Sequence, residues 1–208
     1  MTTDEPEKTR STSFSDWARR WGARFLVPVA GLLARLGLTP NKLTLIGLAL
    51  TLGVAFVLAL GHTTEGGWLF LLAGAFDALD GTLARLTDHK TRFGAFLDST
   101  CDRYSDAAIL MGMMIPFLRA GQHTQVILAF ASIIGSVLVS YTRARAEGLG
   151  LECKVGLLTR FERFLIIAAA LIFNQVTLVL WLLAVLTNFT ALQRILHVWR
   201  LTRGNDRV

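Results

Sequence analysis

The sequence of 208 residues is 53% hydrophobic and only 17% charged, and its formal net charge is +6. Soluble domains are about one quarter charged, so this composition excludes an ordinary soluble protein and predicts an integral membrane protein with one domain. A basic excess in a membrane protein marks its cytoplasmic loops, so we expect no nucleic-acid partner, and the isolated Cys101 and Cys153 do not suggest a zinc site.

The N-terminal part of the chain is predicted to lie outside the membrane core. Residues 1–12 form a polar tail without an apolar stretch that could serve as a cleavable signal peptide. In the juxtamembrane segment 13–37, aromatic residues recur at helical spacing with arginines between them: Phe14, Trp17, Trp21 and Phe25, with Arg19, Arg20 and Arg24. This pattern predicts an amphipathic helix in the cytoplasmic interface, and the alternative is a membrane helix broken at Pro28.

Six later segments are long and apolar enough to be membrane spans, since a span needs about 20 mostly apolar residues. They are residues 43–61, 68–85, 94–118, 125–146, 156–173 and 176–198. The fold class predicted is therefore an all-α integral membrane protein with six transmembrane helices plus the N-terminal interfacial helix. The short loops predict antiparallel neighbours. The catalytic domain would cover residues 13–200, and residues 201–208 would form a C-terminal tail.

The positions of the basic residues predict the orientation of these spans. Of the 21 lysines and arginines, only Arg119 lies in a predicted outer loop. The positive-inside rule then places both termini on the cytoplasmic side of the plasma membrane. We expect a multi-pass protein whose active site faces the cytoplasm.

Four aspartates lie where the second and third predicted spans meet the cytoplasm. Asp77 and Asp80 are three residues apart and share one helix face, and Asp98 and Asp102, four apart, share a face of the next helix. Asp88, in the turn between the helices, is expected to be solvated. The two pairs can therefore face each other across one contact between the helices.

Such a group of carboxylates is costly in a membrane protein. A charged side chain near the centre of a spanning helix costs roughly 2.5–3.5 kcal/mol, and the carboxylates also repel one another. A divalent cation would offset both costs, and oxygen ligands favour Mg²⁺, Mn²⁺ or Ca²⁺ over zinc. The alternative is a purely structural ion-pair network with nearby arginines such as Arg85 and Arg103.

The spacing of these residues resembles a known signature. The chain reads Asp77-x-x-Asp80-Gly81-x-x-Ala84-Arg85, then eight residues, then Gly94-x-x-x-Asp98-x-x-x-Asp102. This is similar to the complete signature of the CDP-alcohol phosphotransferases. The resemblance implies a six-helix membrane enzyme in which a CDP-linked lipid alcohol gives its phosphatidyl group to an acceptor hydroxyl and CMP leaves.

The resemblance also implies roles for individual residues. Asp77, Asp80, Asp98 and Asp102 would be the metal ligands for Mg²⁺ or Mn²⁺, with two ions expected, and Asp102 would also act as the general base. The CDP-lipid would be bound by Asp77, Gly81, Ala84 and Arg85, together with Asn41 and Thr44 of the segment TPNKLT. Relatives are commonly homodimers, so a homodimer is expected here.

The acceptor is predicted from the sequence around the signature. The segments TRFGAFLDSTCDRYSDA, SYTRARAEGLG and GLLTRFERF resemble the phosphatidylinositol-phosphate and archaetidylinositol-phosphate synthase branch. This implies inositol 1-phosphate, a small phosphorylated polyol, as acceptor. Arginine forks suit a phosphate monoester, so Arg143, Arg145 and Arg160 are expected in the acceptor site, while Asp106 would contact acceptor hydroxyls or only pack.

Two alternatives stay open at this stage. The same chemistry could use glycerol 3-phosphate, phosphatidylglycerol or another alcohol as acceptor. The aspartates could instead form the ion path of a cation transporter. Transport predicts polar groups that continue across the membrane, whereas the third span beyond Asp106 reads AAILMGMMIPFL.

Overall fold

A computed structural model describes residues 26–87 and 91–203 of the chain. This part is built from seven α-helices: α1 Leu26–Arg35, α2 Pro40–Ala59, α3 Thr63–Leu86, α4 Arg92–Arg119, α5 His123–Gly148, α6 Arg160–Ile172 and α7 Val176–Thr202. The all-α class is confirmed. The predicted polar tail, the aromatic stripe from Phe14 to Phe25, Asp88 and residues 204–208 lie outside the described residues.

Three of the described helices, α2, α5 and α7, are long and apolar enough to cross a membrane. α3 and α4 contain 24 and 28 residues, which gives them lengths of about 36 and 42 Å at 1.5 Å per residue. Both carry aspartates of the signature, and neither is among the candidate membrane spans. By length and composition, α2, α5 and α7 are therefore the candidate membrane spans among the described helices.

The fifth predicted span, residues 156–173, is wrong at its start. α6 contains 13 residues and is about 20 Å long, which is shorter than the roughly 30 Å hydrocarbon core. Gly156 has a φ of +150°, which L residues rarely adopt, so a helix cannot run through it. The helix begins after Thr159, whose side chain accepts from the Glu162 N–H while the Glu162 carboxylate accepts from the Thr159 N–H.

The helices do not simply pack in chain order. α2 packs against both α3 and α4, α5 packs against α4 and α7, and α6 packs against α3 and α7. The predicted direct packing between α3 and α4 is wrong, because these two helices make few close backbone contacts and α2 lies against both. A cleft bounded by α2, α3 and α4 results, and its polar end is the site described below.

Small residues allow the closest of these contacts. A Cβ at Gly112 of α4 would lie 2.9 Å from the Ala55 Cα, so α2 and α4 can approach this closely only because residue 112 has no side chain. Gly74 of α3 likewise leaves room for the ring of Phe164 on α6, which packs against Phe70 with 4.7 Å between ring centroids. The α3–α6 contact fixes the position of the first turn of α6 relative to the C-terminal half of α3.

Candidate active site

Three carboxylates from two helices meet at one end of the bundle. Asp77 of α3 and Asp98 and Asp102 of α4 each place one oxygen within 4.8 Å of the other two. The side chain of Asp102 is only 14% exposed, and that of Asp77 is 31% exposed. The prediction that the aspartate pairs face each other is confirmed for these three residues, which we call the carboxylate trio.

Asp80, the fourth predicted ligand, lies beside the trio and is held by α2. It is 8% exposed, and its Oδ2 accepts a hydrogen bond of 2.7 Å from the Thr44 hydroxyl. A buried carboxylate needs such donors, because an unpaired charge in a dry environment is very costly. Thr44, expected at the nucleotide, therefore also positions an acidic residue of the signature.

Arg160, the first residue of α6, bridges the trio. Its Nη1 lies 3.1 Å from Asp77 Oδ2 and its Nη2 lies 2.7 Å from Asp102 Oδ1. A longer contact of 3.9 Å joins its Nε to Asp106 Oδ1. Arg160, which is predicted to bind the acceptor, thus lies against the acidic residues, and its guanidinium offsets part of their negative charge.

Arg163 was not among the predicted site residues, although it follows Arg160 by one helical turn. It is 4% exposed and donates from Nη2 to Asp106 Oδ2 at 2.8 Å. Asp106 is therefore an ion-paired residue one turn beyond Asp102. The i, i+3 spacing of two arginines behind a capping Thr-x-x-Glu was the available signal in the sequence.

The arginines named in the ion-pair alternative make other contacts. Arg85 donates to the Thr82 hydroxyl at 3.0 Å, and Arg103 donates to the Ser99 carbonyl. Within residues 26–87 and 91–203, the ion pairs of Asp77, Asp102 and Asp106 come from α6 instead. The alternative of an ion-pair network is therefore wrong in naming Arg85 and Arg103 as the arginines that pair with the aspartates.

A cavity of about 290 Å³ lies next to the trio, between α2, α3 and α4. Its lining contains five of the residues predicted to bind the CDP-lipid, but not Asp77: Asn41, Thr44, Gly81, Ala84 and Arg85. Asp80 and Asp98 also line it, so one carboxylate of the trio forms part of the cavity wall. The cavity and the carboxylates thus form one continuous site.

The two predicted acceptor residues on α5 lie apart from these contacts. Arg143 pairs with Glu147 at 2.8 Å, and Arg145 is exposed. Arg194 of α7, which sequence reasoning missed, is 7% exposed and donates to the carbonyls of Val139 and Val155. It joins the loop before α6 to α5, and only the tertiary structure reveals this role.

The donors of the trio suit a hard divalent cation. All are carboxylate oxygens, the ligands that Mg²⁺ and Mn²⁺ prefer. Oxygens that share an octahedral Mg²⁺ lie roughly 3 to 4.2 Å apart, because each bond is about 2.1 Å long. The trio places one oxygen of each residue within 4.8 Å of the others, which is close to these separations.

Comparison with known sequences supports the resemblance seen in the signature. Residues 37–199 match the family described as CDP-alcohol phosphatidyltransferase. The archaetidylinositol phosphate synthase of Pyrococcus horikoshii is 44% identical over 165 residues, which cover 78% of this chain and 85% of that protein. The phosphatidylinositol phosphate synthase of Mycobacteroides abscessus is 36% identical over 196 residues, covering 90% and 89%.

Solved structures agree with the sequence matches. The crystal structure of the Mycobacterium tuberculosis phosphatidylinositol phosphate synthase with CDP-DAG bound matches with a TM-score of 0.81 and 34% identity, covering 85% of this chain and 94% of that one. The structure of the same synthase with manganese and citrate matches with a TM-score of 0.79 and 33% identity, covering 84% and 88%. The chain therefore belongs to the CDP-alcohol phosphatidyltransferase family of enzymes.

Proposed function

We propose that this enzyme transfers the phosphatidyl group of a CDP-lipid to inositol 1-phosphate and releases CMP. The observation that carries the proposal is the position of Asp98, which belongs both to the cavity wall and to the carboxylate trio. A nucleotide in the cavity would therefore have its pyrophosphate beside the trio. Arg160 and Arg163 on the other side of the trio supply cationic groups for a phosphorylated acceptor.

The CDP-lipid is proposed to bind with its nucleotide in the cavity. A volume of about 290 Å³ is near the lower end of ligand sites, so it suits the nucleotide rather than the whole lipid. Asn41, Thr44, Gly81, Ala84 and Arg85 would contact the nucleotide, and Asp77 would approach it from the trio. The two acyl or alkyl chains would stay in the bilayer. This assignment is supported by the CDP-DAG present in the similar mycobacterial structure.

Asp77, Asp80, Asp98 and Asp102 are proposed as ligands of two divalent cations, Mg²⁺ or Mn²⁺. Bound cations would neutralise the pyrophosphate charge and stabilise the departing CMP. Asp102 is proposed to accept the proton of the attacking acceptor hydroxyl, which requires a carboxylate within hydrogen-bond reach. Its position in the trio beside Arg160, which would bind the acceptor phosphate, supports this role. The manganese in the second mycobacterial structure supports the proposed cation site.

The acceptor site is proposed to lie around the first turn of α6. Arg160 would bind the phosphate through its forked N–H groups, with Arg143 and Arg145 of α5 completing the basic surface. Asp106, held by Arg163, would accept hydrogen bonds from polyol hydroxyls. The names of the relatives favour inositol phosphate over glycerol 3-phosphate, phosphatidylglycerol or other alcohols. Cation transport gains no support, because these relatives are synthases.

The membrane arrangement follows from the same proposal. We infer six spanning helices within a catalytic domain over residues 13–200, with both termini and the active site on the cytoplasmic side of the plasma membrane. Support comes from three long apolar helices and from the basic residues near the site. Because α6 is shorter than the hydrocarbon core, residues on either side of it would have to complete its path across the membrane. A homodimer is also proposed.

The test is CMP release from CDP-diacylglycerol by the purified, folded protein with Mg²⁺ or Mn²⁺. The acceptors to compare are inositol 1-phosphate, inositol, glycerol 3-phosphate and phosphatidylglycerol. We expect the highest kcat/KM with inositol 1-phosphate and little release with inositol, because inositol lacks the phosphate that Arg160 would bind. Equal rates with inositol and inositol 1-phosphate would contradict the acceptor assignment.

A further inference from the structure

We propose that Arg160 is a switch that couples divalent-cation binding to acceptor binding, an inference that rests on the proposed function. Arg160 uses two different nitrogens to bridge Asp77 on α3 and Asp102 on α4. Both carboxylates belong to the trio that fits a cation. One guanidinium thus binds two of the groups that a cation needs.

The bridge and a cation compete for the same carboxylates. The hydrogen bond from Nη2 at 2.7 Å takes one acceptor site of Asp102 and fixes the orientation of that carboxylate toward Arg160, and the contact at 3.1 Å does the same for Asp77. A cation drawing these oxygens to its own bond length also places positive charge beside the guanidinium. Arg160 therefore releases Asp77 and Asp102 when a divalent cation takes them.

Once released, the Arg160 side chain can move toward solvent and bind the phosphate of the acceptor. The Arg160 side chain is 41% exposed and ends at the face of the site, whereas the Arg163 side chain is 5% exposed and keeps Asp106 paired. A free guanidinium offers parallel N–H donors to a phosphate monoester. The acceptor phosphate then holds Arg160 away from the trio, so acceptor and cation each strengthen the binding of the other by the same factor.

This coupling is measured as Mn²⁺ affinity, with free Mn²⁺ read by its electron paramagnetic resonance signal. Full-length protein in detergent is titrated with and without inositol 1-phosphate, and without CDP-lipid so that no turnover occurs. We expect inositol 1-phosphate to tighten Mn²⁺ binding about tenfold in the wild type, within the usual range of coupling between sites. Arg160→Gln should bind Mn²⁺ more tightly without acceptor and should lose the effect of inositol 1-phosphate.

Two further variants separate displacement from simple charge repulsion. Arg160→Lys keeps the positive charge, but one ammonium cannot reproduce the two-nitrogen bridge, so Mn²⁺ should again bind more tightly than to the wild type. Lys154→Gln removes a charge from the same end of the molecule, where Lys154 pairs with Glu152, and should leave Mn²⁺ affinity unchanged. Wild-type affinity in Arg160→Lys, or tenfold coupling that persists in Arg160→Gln, would overturn the switch.

The failure of this inference can be told apart from failure of the proposed function. CMP release by the wild type with inositol 1-phosphate is measured on the same preparation. No release with inositol 1-phosphate, but release with another acceptor, refutes the acceptor assignment. Normal release combined with a Mn²⁺ affinity that does not respond to inositol 1-phosphate refutes only the switch.

Discussion

Gly94→Ala tests whether the cavity between α2, α3 and α4 binds the nucleotide. A Cβ at this position would lie 2.9 Å from the Thr91 Oγ1 and 3.0 Å from the Asn41 Oδ1. Ordinary carbon–oxygen contacts are longer, so both side chains must withdraw by about half an ångström, on the scale of normal van der Waals separations. Both Thr91 and Asn41 line the cavity, which would lose space where a nucleotide would lie.

Two opposite effects of Gly94→Ala on the stability of the protein should nearly cancel. The Thr91 side chain caps α4 by accepting from the Gly94 N–H at 2.9 Å, and a weakened cap costs about 1 kcal/mol. Replacing a helical glycine with alanine stabilises the helix by roughly 0.5–1 kcal/mol. Gly53→Ala on α2 is the matched control, because a Cβ there meets nothing within 4 Å. We expect Gly53→Ala to unfold at a slightly higher temperature than the wild type, and Gly94→Ala to unfold close to it.

The effect on catalysis should be larger and confined to the donor substrate. One misplaced methyl group in a pocket changes binding by about 1–3 kcal/mol, so the KM for CDP-diacylglycerol should rise about tenfold or more. The KM for inositol 1-phosphate should change little, since Arg160 lies on the other side of the trio. Steady-state CMP release with each substrate varied in turn provides both constants. A Gly94→Ala enzyme with the wild-type KM for CDP-diacylglycerol would refute the placement of the nucleotide.

Three other substitutions test the carboxylates and their partners. Asp102→Asn should lower kcat by about 10²- to 10⁴-fold, the usual contribution of a general base, while CDP-lipid binding measured by calorimetry stays largely intact; an active variant would remove the base role. Thr44→Val should lower the thermal unfolding midpoint, because it removes the hydrogen bond from the Thr44 hydroxyl to Asp80, which is worth about 1.5–3 kcal/mol. The control Thr51→Val loses only a hydrogen bond to a carbonyl of its own helix and should lower the midpoint less. Equal midpoints of the two variants would contradict this. Arg160→Ala should raise the KM for inositol 1-phosphate in CMP-release assays, and an unchanged KM would move the acceptor site elsewhere.

The sequence was sufficient to predict the carboxylate trio because helical geometry converts spacing directly into position. Residues three or four apart share a face, so Asp98 and Asp102 had to project together, and a short turn brought Asp77 to the same end. The cavity lining was predictable through the resemblance, since Asn41 and Gly81 are far apart in the chain. Periodicity alone would not have joined them.

Other features depend on tertiary contacts that a local pattern does not contain. The apolar run predicts a start at Gly156, whereas the capping box at Thr159 sets the start of α6 at Arg160. Arg143 and Arg160 look alike in sequence as basic residues near one loop. Only the packing of α6 against α3 brings Arg160 to Asp77, while Arg143 pairs with Glu147 on its own helix.

The separation of α3 from α4 determines which groups can lie beside the carboxylates. Two helices packed directly at this point would press three carboxylates together, and their mutual repulsion would oppose folding. Here α2 contacts both helices instead, and its close approach to α4 depends on the absence of a side chain at Gly112. The space left between α3 and α4 can hold a cation, a pyrophosphate or the guanidinium of Arg160. The same packing that produces this space would permit the exchange of Arg160 for a divalent cation that the proposed switch requires.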